Sequence, residues 1–484
     1  MNANWPLVRL GDYCLKIGSG ATPKGGKSVY LDAGQIALIR SQNVYNDTFK
    51  PDGLAYITVD AANKLKNVEV QSGDILLNIT GDSVARLCLA PDEYLPARVN
   101  QHVAIIRPNP NEFDSRFLRY FLTSPKQQEL LLVIASAGAT RNALTKSHIE
   151  SLEVCKPELA VQIWIATQLE SLDKKIQINH QINQTLEHMA QALFKSWFVD
   201  FEPIKAKISV LEAGGSQEDA TLAAMTAISG KDTDALVVFE RKYPEQYAEL
   251  KAIAELFPAA MQDSELGEIP MGWNVLPLES ATSLIIDHRG KTPKKLGGDW
   301  SEDGYPAISA KNIKNGRLVR HDAIKYVDPE LYKKWMRDVL LSGDILMTSE
   351  APLGELLYLA KNSNYLLSQR LYGIRADNNI VSGCYLYLWL QSTRAKDDIN
   401  GRATGSTVVG IRQSELRKVN VMAPKKDLIE SFSSLADYYL AKIESNEKEN
   451  IVLENIRDTL IPKLLSGEIT LPEAEQAISE VENV

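Results

Sequence analysis

The chain has 484 residues, of which 44% are hydrophobic and 24% charged, and this length predicts at least two globular domains. No apolar run approaches the roughly 20 residues of a membrane-spanning helix, and the N-terminal sequence lacks the pattern of a secretory signal. The four cysteines are scattered and the six histidines form no close pair. These features predict a cytoplasmic protein with no membrane partner, no disulfide framework and no metal site.

The net charge of −9 is distributed unevenly along the chain. Residues 156–270 carry −8 and residues 423–484 carry −7, whereas residues 1–155 carry +1 and residues 271–422 carry +5. The acidity is therefore confined to two segments, and a nucleic-acid partner is not excluded for the other two. A basic segment alone is weak support for DNA binding, because a mixed-charge surface is the commoner cause.

The stretch GSGATPKGGKS at residues 18–28 looks like the phosphate-binding loop of a nucleotide hydrolase. That motif requires a glycine five positions before Gly26, where this chain has Ala21, and the residues that follow predict a turn and a strand rather than a helix. A second stretch, GKTPKKLGGDW from residue 290, repeats Gly-x-Thr-Pro-Lys but lacks Gly-Lys-Ser. We interpret the shared element as a turn, and nucleotide hydrolysis is excluded.

The first 155 residues show the pattern of an α/β domain. The runs GDILLNIT at 73–80 and HVAIIRP at 102–108 are rich in Ile, Leu and Val and predict strands. Residues 115–136 have apolar side chains at helical spacing, which predicts one or two helices.

A long helix is predicted next, over residues 161–200, which would extend about 60 Å. From Leu169 to Trp197 the inward-facing residues alternate in steps of three and four, as in a heptad seam. A matching seam runs from Ala436 to Leu464. Because neither helix can bury such a stripe on a compact neighbour, we predict that the two helices pair with each other as an antiparallel coiled coil.

Four asparagines interrupt the two seams at equivalent positions: Asn179, Asn183, Asn446 and Asn450. A polar residue in a seam lowers stability but specifies register, so we expect these four residues to set the helix-pair register. The alternative is that they lie on the rim of the pair.

Residues 205–270 lie between the first long helix and the second domain. They have short helical patterns without a counterpart later in the chain, which predicts an acidic helical connector.

The chain is a tandem repeat. SGDILLNITG at 72–81 returns as SGDILMTSEA at 342–351 with a shift of 270. NQHVAIIRPN at 100–109 returns as SQRLYGIRAD with a shift of 268, and GATRNALTKSHIESLEVCKP at 138–157 returns with a shift of 267. Small loop deletions explain this drift, and the chain consists of a first copy, a linker and a second copy.

Motifs for enzymatic chemistry are missing from the sequence. It has no amino-methyltransferase motif, no GxSxG nucleophile elbow and no HExxH, so we predict no catalytic residues and no cofactor. Two related domains at opposite ends of an antiparallel helical pair would form a pseudo-twofold object, as a dimeric DNA reader does. Because the copies differ in side chains, they should read different half-sites.

The fragments WPLVRLGDYCLKIGSGATPK, SGDILMTSEAPLGELLYL, KPELAVQIWIATQLESLDKKI and NIVLENIRDTLIPKLLSGEI resemble the specificity subunit of type I restriction–modification enzymes. The resemblance covers nearly the whole chain, and the order and duplication of the fragments make it specific. It implies a non-catalytic, sequence-specific subunit that binds double-stranded DNA at a bipartite, asymmetric target. It further implies assembly with two methyltransferase subunits that methylate adenine N6 and with motor-nuclease subunits. The paired helices would act as a ruler for the gap.

The expected fold is α/β, with two target-recognition domains separated by two long helices that form an antiparallel coiled coil. The predicted boundaries are 1–155 for recognition domain 1, 156–204 for the central helix, 205–270 for the connector, 271–422 for recognition domain 2, 423–470 for the C-terminal helix and 471–484 for an acidic tail.

Residues that contact DNA should be polar and lie in loops, because bases are read by Arg, Lys, Asn, Gln and Ser side chains while Lys, Arg and Thr hold phosphates. The candidates in the first copy are Thr22, Lys24, Arg40, Gln42, Asn43, Asn78, Thr80, Arg86, Gln101 and Arg141, and in the second copy Lys291, Thr292, Lys294, Ser309, Lys311, Asn312, Lys314, Ser349 and Arg370.

Two other functions stay open at this point. One is a stand-alone sequence-specific DNA-binding regulator, and the other is a coiled-coil adaptor without a DNA role. An aromatic cluster at the end of the first long helix, Phe194, Trp197, Phe198 and Phe201, is interpreted as core packing rather than as a protein interface.

Overall fold

The computed structural model describes residues 5–137, 142–405 and 407–469. The chain divides into two compact units. Unit 1 combines Met1–Ile178 with Asn450–Val484, and unit 2 is Asn179–Glu449. The predicted acidic tail lies outside the described residues.

The first copy, within unit 1, has mostly short strands and four helices. In chain order these are β1 (Leu7–Arg9), β2 (Cys14–Ser19), β3 (Ile36–Ile39), β4 (Val44–Tyr45), β5 (Thr48–Phe49), β6 (Ala55–Ile57), α1 (Val59–Asn63), β7 (Glu69–Val70), β8 (Ile75–Asn78), β9 (Leu87–Leu89), β10 (Ala97–Val99), β11 (Val103–Pro108), α2 (Ser115–Thr123), α3 (Pro125–Ser136), α4 (Lys146–Glu150) and β12 (Glu153–Cys155). The predicted helical region at 115–136 is thus two helices, because Ser124 and Pro125 end one and begin the next.

The central segment is helical apart from one hairpin. It contains α5 (Leu159–Phe198), α6 (Glu202–Glu212), α7 (Gln217–Ser229), α8 (Thr233–Lys242), α9 (Pro244–Leu256), β13 (Met261–Ser264) and β14 (Gly267–Pro270). Helix α5 has 40 residues, and its first half belongs to unit 1 while its second half belongs to unit 2. The hairpin was not predicted from the sequence.

The second copy, within unit 2, repeats the first. Its elements are β15 (Asn274–Pro277), β16 (Thr282–Asp287), β17 (Tyr305–Ile308), β18 (Ile313–Lys314), β19 (Arg317–Leu318), β20 (Lys325–Val327), α10 (Pro329–Trp335), β21 (Ile345–Thr348), β22 (Leu356–Tyr358), β23 (Leu366–Leu367), β24 (Leu371–Ala376), α11 (Gly383–Gln391), α12 (Thr393–Arg402), α13 (Gln413–Leu416) and β25 (Asn420–Ala423). Helix α14 (Lys426–Ser466) follows and continues into unit 1.

Sheet topology confirms the duplication that the sequence predicted. The first copy has a four-stranded sheet in the order β2-β11-β8-β9, and the second has β16-β24-β21-β22 in the same arrangement. A second sheet, β6-β3-β10-β7, corresponds to β20-β17-β23, with the β3–β10 and β17–β23 pairs parallel. In both copies the first and last strands pair antiparallel and close the domain, β1 with β12 and β15 with β25.

A buried ion pair recurs in the two main sheets. The Nε and Nη2 atoms of Arg107 donate to the Asp74 carboxylate at 2.7 and 2.8 Å, and Arg375 donates to Asp344 at 2.8 and 2.7 Å. Each carboxylate also accepts a backbone N–H three residues earlier, which closes the turn before β8 or β21. The glycine before each aspartate has a positive φ (+79° and +89°), a conformation that favours glycine.

Each unit has its own cores, and both long helices contribute to them. In unit 1, Leu169 of α5 and Leu460 and Leu464 of α14 are buried in the same cluster as Phe117. The Arg457 guanidinium of α14 also lies 2.9 Å from the Asp173 carboxylate of α5.

In unit 2 the end of α5 packs against the beginning of α14. The Phe198 ring lies 5.0 Å from the rings of both Phe432 and Tyr385, and the Trp197 ring lies 5.1 Å from Phe257. Trp197 and Phe198 are almost fully buried, and burial of a large side chain stabilises by roughly 1.5–3 kcal/mol. The interpretation of this aromatic cluster as core packing is confirmed. Among the described residues, no helix combines the length and apolarity needed to cross a bilayer.

Candidate DNA interface

The repeated Thr-Pro-Lys turn has the same disposition in both copies. Pro23 and Pro293 are buried and anchor the turn, while Lys24 and Lys294 are exposed. The Thr22 hydroxyl donates to Gln101 Oε1 at 2.7 Å, which joins two predicted site residues that are 79 positions apart. The turn therefore presents one free lysine side chain to solvent in each copy.

A second repeated turn follows β3 and β17. Asn43 and Asn312 are buried in it, and each side-chain oxygen accepts the backbone N–H three residues earlier, from Arg40 and Ser309. Both Nδ2 atoms donate to backbone carbonyls of the following loop. The exposed residues of the same turns are Gln42 and Lys311.

Four predicted contact residues are therefore removed from the candidate interface. Asn43 and Asn312 hold the turn, and Asn78 is buried and donates to Ser41 O at 2.9 Å. Ser349, which directly follows β21, is only 1% exposed. Side chains buried in this way cannot reach a base edge without local unfolding.

Another pair of side chains occupies equivalent positions after β8 and β21. In the first copy the Thr80 hydroxyl lies 2.7 Å from His102 Nδ1. In the second copy the Arg370 guanidinium lies 3.0 Å from the Glu350 carboxylate. The site is thus repeated while its chemistry changes from a hydroxyl–imidazole hydrogen bond to an ion pair.

The second copy also has a cavity of about 210 Å³ into which several predicted residues point. Its lining includes Lys291, Thr292, Ser309 and Lys311, together with residues that sequence reasoning missed, Trp300, Lys325 and Gln369. Lys291 Nζ donates to the Trp335 carbonyl at 2.9 Å, and desolvation lowers the pKa of Lys291. Burial, assisted by the charge of Lys291, also lowers the pKa of the nearby His288 to about 4, so this imidazole is neutral at pH 7.

The remaining candidates are dispersed. Arg86 lies 5.0 Å from the centre of the Tyr45 ring, and Lys314 is exposed in β18. Arg141 lies outside the described residues. Within the described part of the chain there is no group of three or more His, Cys, Asp or Glu side chains that could hold a metal ion.

Comparison with known proteins identifies the family to which the chain belongs. The family described as "Type I restriction modification DNA specificity domain" matches the chain twice, at residues 2–188 and 270–455. The chain belongs to this family. It is therefore a non-catalytic DNA-specificity subunit of the type I restriction–modification class.

Proteins similar to this chain match it over almost their whole length and support this assignment. The HindI specificity subunit of Haemophilus influenzae is 31% identical over 444 residues, which cover 90% of this chain and 94% of the relative. The MjaIX specificity subunit of Methanocaldococcus jannaschii is 22% identical, with 97% and 94% covered. The solved type I S subunit of M. genitalium has the same fold, with a TM-score of 0.54 at 14% identity and with 97% and 98% of the two chains covered.

The seam asparagines of this specificity subunit are all buried, at 2% exposure or less. Asn446 Nδ2 donates to Asn183 Oδ1 at 2.8 Å, and Asn183 Nδ2 donates to Glu447 Oε1 at 2.7 Å. Asn179 Nδ2 donates to Glu449 Oε2 at 2.8 Å, also within unit 2. These side chains bond across from α5 to α14, whereas a rim position would leave them in solvent.

The residues that sequence reasoning missed share one property: they become neighbours only in the folded domain. Trp300 and Lys325 are 25 positions apart, and His102 contacts Thr80 across adjacent segments. The repeat offers one signal for the aromatic position, since Tyr30 and Trp300 are separated by the same shift of 270 as the Thr-Pro-Lys turns.

Proposed function

We propose that each copy reads one half of a bipartite, asymmetric double-stranded DNA target, and that α5 and α14 hold the two reading domains at a defined separation. In this proposal the subunit assembles with two adenine-N6 methyltransferase subunits and, for cleavage, with motor-nuclease subunits. One observation carries the proposal: the two copies share a buried framework but present different exposed side chains at equivalent positions.

The proposed contact surface consists of the exposed and half-buried candidates. In the first copy these are Thr22, Lys24, Arg40, Gln42, Thr80, Arg86 and Gln101, and in the second copy Lys291, Thr292, Lys294, Ser309, Lys311, Lys314 and Arg370. Lysine and arginine predominate in the second set. Such side chains donate to phosphates and to guanine acceptors, so the second half-target would make the larger electrostatic contribution.

The helical ruler is supported by contacts inside each unit. In unit 1 the beginning of α5 shares a core with the end of α14, and in unit 2 the end of α5 shares a core with the beginning of α14. Both sets of contacts support the proposal of antiparallel helices in a coiled coil. The buried asparagine pair Asn183–Asn446 would fix the register, because a slipped pairing would leave both amides without a partner.

The uneven charge fits this division of roles. The acidic segments at 156–270 and 423–484 contain the helices and the connector, whereas the recognition copies are neutral or basic. Acidic helices repel a DNA backbone but are suited to a protein partner. We therefore assign the methyltransferase contacts to the helical segments.

The proposal is tested by co-expressing the chain with a neighbouring adenine methyltransferase subunit, where its genome encodes one, and mapping methylated adenines across the host genome. The expected result is a single two-part motif with an undefined gap. The methyltransferase expressed without this chain should produce no such motif. Random or absent methylation would contradict the proposal.

The same preparations separate the two rival functions. Tight, sequence-selective DNA binding by the chain without methyltransferase subunits would indicate a stand-alone regulator. A lack of sequence preference in every assembly would indicate an adaptor.

A further inference from the structure

An exposed aromatic ring with a cation beside it marks the cavity of the second copy. Trp300 is 37% exposed, and Lys325 Nζ lies 5.3 Å from the centre of its ring. Behind it, the buried Trp335 lies 6.5 Å away ring to ring and is fixed by a hydrogen bond from Nε1 to the Leu367 carbonyl. A rigid wall therefore supports the exposed indole.

The first copy has the same arrangement at the equivalent position. The Arg40 guanidinium lies 5.5 Å from the centre of the Tyr30 ring. The equivalence is independent of sequence matching, because the residue after each ring forms the same type of backbone bridge, Leu31 with Tyr56 and Ser301 with Tyr326.

The two cations come from different places in the repeat. Arg40 follows β3, whereas Lys325 begins β20, the counterpart of β6. In each copy a cation therefore lies against this ring, but the two cations come from different positions in the repeat. A contact inherited from the common ancestor would use the same position in both copies. We therefore attribute the pairing to the function of this surface rather than to the shared fold.

The surroundings of these pairs suit an electron-rich ligand. The cavity beside Trp300 is lined by Lys291, Lys311 and Lys325, and its described lining contains no Asp or Glu. Lys291 Nζ donates to a neutral backbone carbonyl, that of Trp335, and Lys325 Nζ lies over the Trp300 ring. In the first copy the half-buried Arg40 guanidinium lies over the Tyr30 ring, and its Nη2 donates to the Gly53 carbonyl. Cationic donors held against a ring, in a cavity lined without carboxylates in the second copy, favour phosphate or base acceptor atoms.

We infer that these two aromatic–cation pairs are specificity determinants, Tyr30 with Arg40 for one half-target and Trp300 with Lys325 for the other. The inference rests on the proposed function and names the side chains that read the bases. The cation donates to guanine O6 and N7 in the major groove, and the ring packs on the neighbouring base or its sugar. The ring also restricts the cation, which lowers the entropy lost on binding.

The different chemistry of the pairs predicts different reading. Arginine offers a planar fork that matches the two guanine acceptors, whereas lysine is a point charge with three donors. Arg40 should therefore discriminate for guanine more strongly than Lys325 does. Conversely, the cavity lysines around Trp300 should accept a wider range of acceptor patterns.

The experiment is to express Lys325→Ala, Trp300→Ala and Trp300→Phe chains with the methyltransferase subunit and map methylated adenines. Lys325→Ala should relax one base position in one half of the motif, with discrimination falling about tenfold, while the other half and the gap stay unchanged. Arg40→Ala should relax the opposite half. Trp300→Phe should retain more discrimination than Trp300→Ala, because it keeps an aromatic surface.

The unchanged half of the motif serves as an internal control for folding and assembly. Lys333→Ala is the matched control, an exposed lysine of α10 that does not line the cavity. An intact motif in the Lys325→Ala and Trp300→Ala chains would overturn the inference alone. An even loss of methylation at all sites without relaxed sequence would also overturn it, because it would assign these residues to phosphates. A wild-type chain that directs no two-part motif would overturn the proposed function itself.

Discussion

The two copies are alike where they are buried and different where they are exposed. Asp74 with Arg107 and Asp344 with Arg375 form the same bidentate pair within 0.1 Å, and Asn43 and Asn312 close the same turn. At the surface, the first copy has a Thr80–His102 hydrogen bond, and the second copy has an Arg370–Glu350 ion pair at the equivalent positions.

This contrast separates two demands on one repeated domain. These buried polar groups hold a turn or an ion pair, so a substitution there is costly in either copy. Exposed side chains are not required for the fold and are free to diverge. A subunit that reads two different half-sites with one fold needs this combination.

The largest expected effect tests the shared framework. Replacing Asp74 by Ala leaves Arg107 half-buried without its partner and should lower the free energy of unfolding of unit 1 by about 3 kcal/mol, and Asp344→Ala should do the same in unit 2. Thiol alkylation in increasing urea reports each unit separately. Burial raises the pKa of Cys88 in unit 1 and of Cys384 in unit 2 to about 12, so both thiols are protonated and unreactive at neutral pH until their unit opens.

Asp74→Ala should therefore expose Cys88 at lower urea while the midpoint for Cys384 stays in place. The matched control is Glu150→Ala, which removes an exposed ion pair with Lys146 and should cost less than about 0.5 kcal/mol. Equal exposure of both thiols in Asp74→Ala would show that the units do not unfold separately.

An intermediate effect is expected in the helix seam. Asn183→Leu removes the acceptor of Asn446 Nδ2 and should destabilise unit 2 by about 1–3 kcal/mol, measured by the same alkylation of Cys384. The double variant Asn183→Leu with Asn446→Leu should recover part of the lost stability, because no amide is left without its partner. It should also allow the two helices to pair in more than one register.

A slip of one heptad displaces a helix by about 10 Å, which corresponds to about three base pairs. The methylated motif of the double variant should therefore include a second gap length that differs by about three. A single unchanged gap, together with an unchanged oligomeric state in light scattering, would refute the register role of these asparagines.

The smallest effect is expected at the two exposed turn lysines. Lys24→Ala and Lys294→Ala should each weaken binding to every DNA sequence by a similar factor, and each should reduce the slope of log affinity against log salt by about 0.9. Fluorescence anisotropy of the assembled complex on labelled DNA measures both quantities, with the exposed Lys64→Ala as control. A changed sequence preference would show that these lysines contact bases instead of phosphates.

The parts of the fold that could be predicted are those encoded by local pattern or by the repeat. The long helix was expected at 161–200 and spans Leu159–Phe198, because its seam positions keep heptad spacing from Leu169 to Trp197. The match between the two main sheets followed from constant shifts such as that between Asp74 and Asp344. The hairpin at 261–270 has no repeat partner and was missed.

The interface was only partly predictable, for a physical reason. A loop amide such as Asn43 has the composition of a base reader, and its burial depends on how the following loop folds back over it. Trp300 was missed because its role arises from contact with Lys325, and sequence pattern does not reveal which distant segments meet. Residue type therefore selected candidate loops, and the structure was needed to separate side chains that hold a loop from those that extend from it.

The division of the chain into units also has a consequence for synthesis. Unit 2 is one continuous segment, whereas unit 1 requires Leu460, Ile461 and Leu464 to complete a core begun by the first 178 residues. On the ribosome, at about 5–20 residues per second, the nascent first domain waits roughly 15 to 60 s for those side chains. Glu449, the last residue of unit 2, is made 15 residues before Leu464, so translation supplies all of unit 2 before it supplies the side chains that complete unit 1.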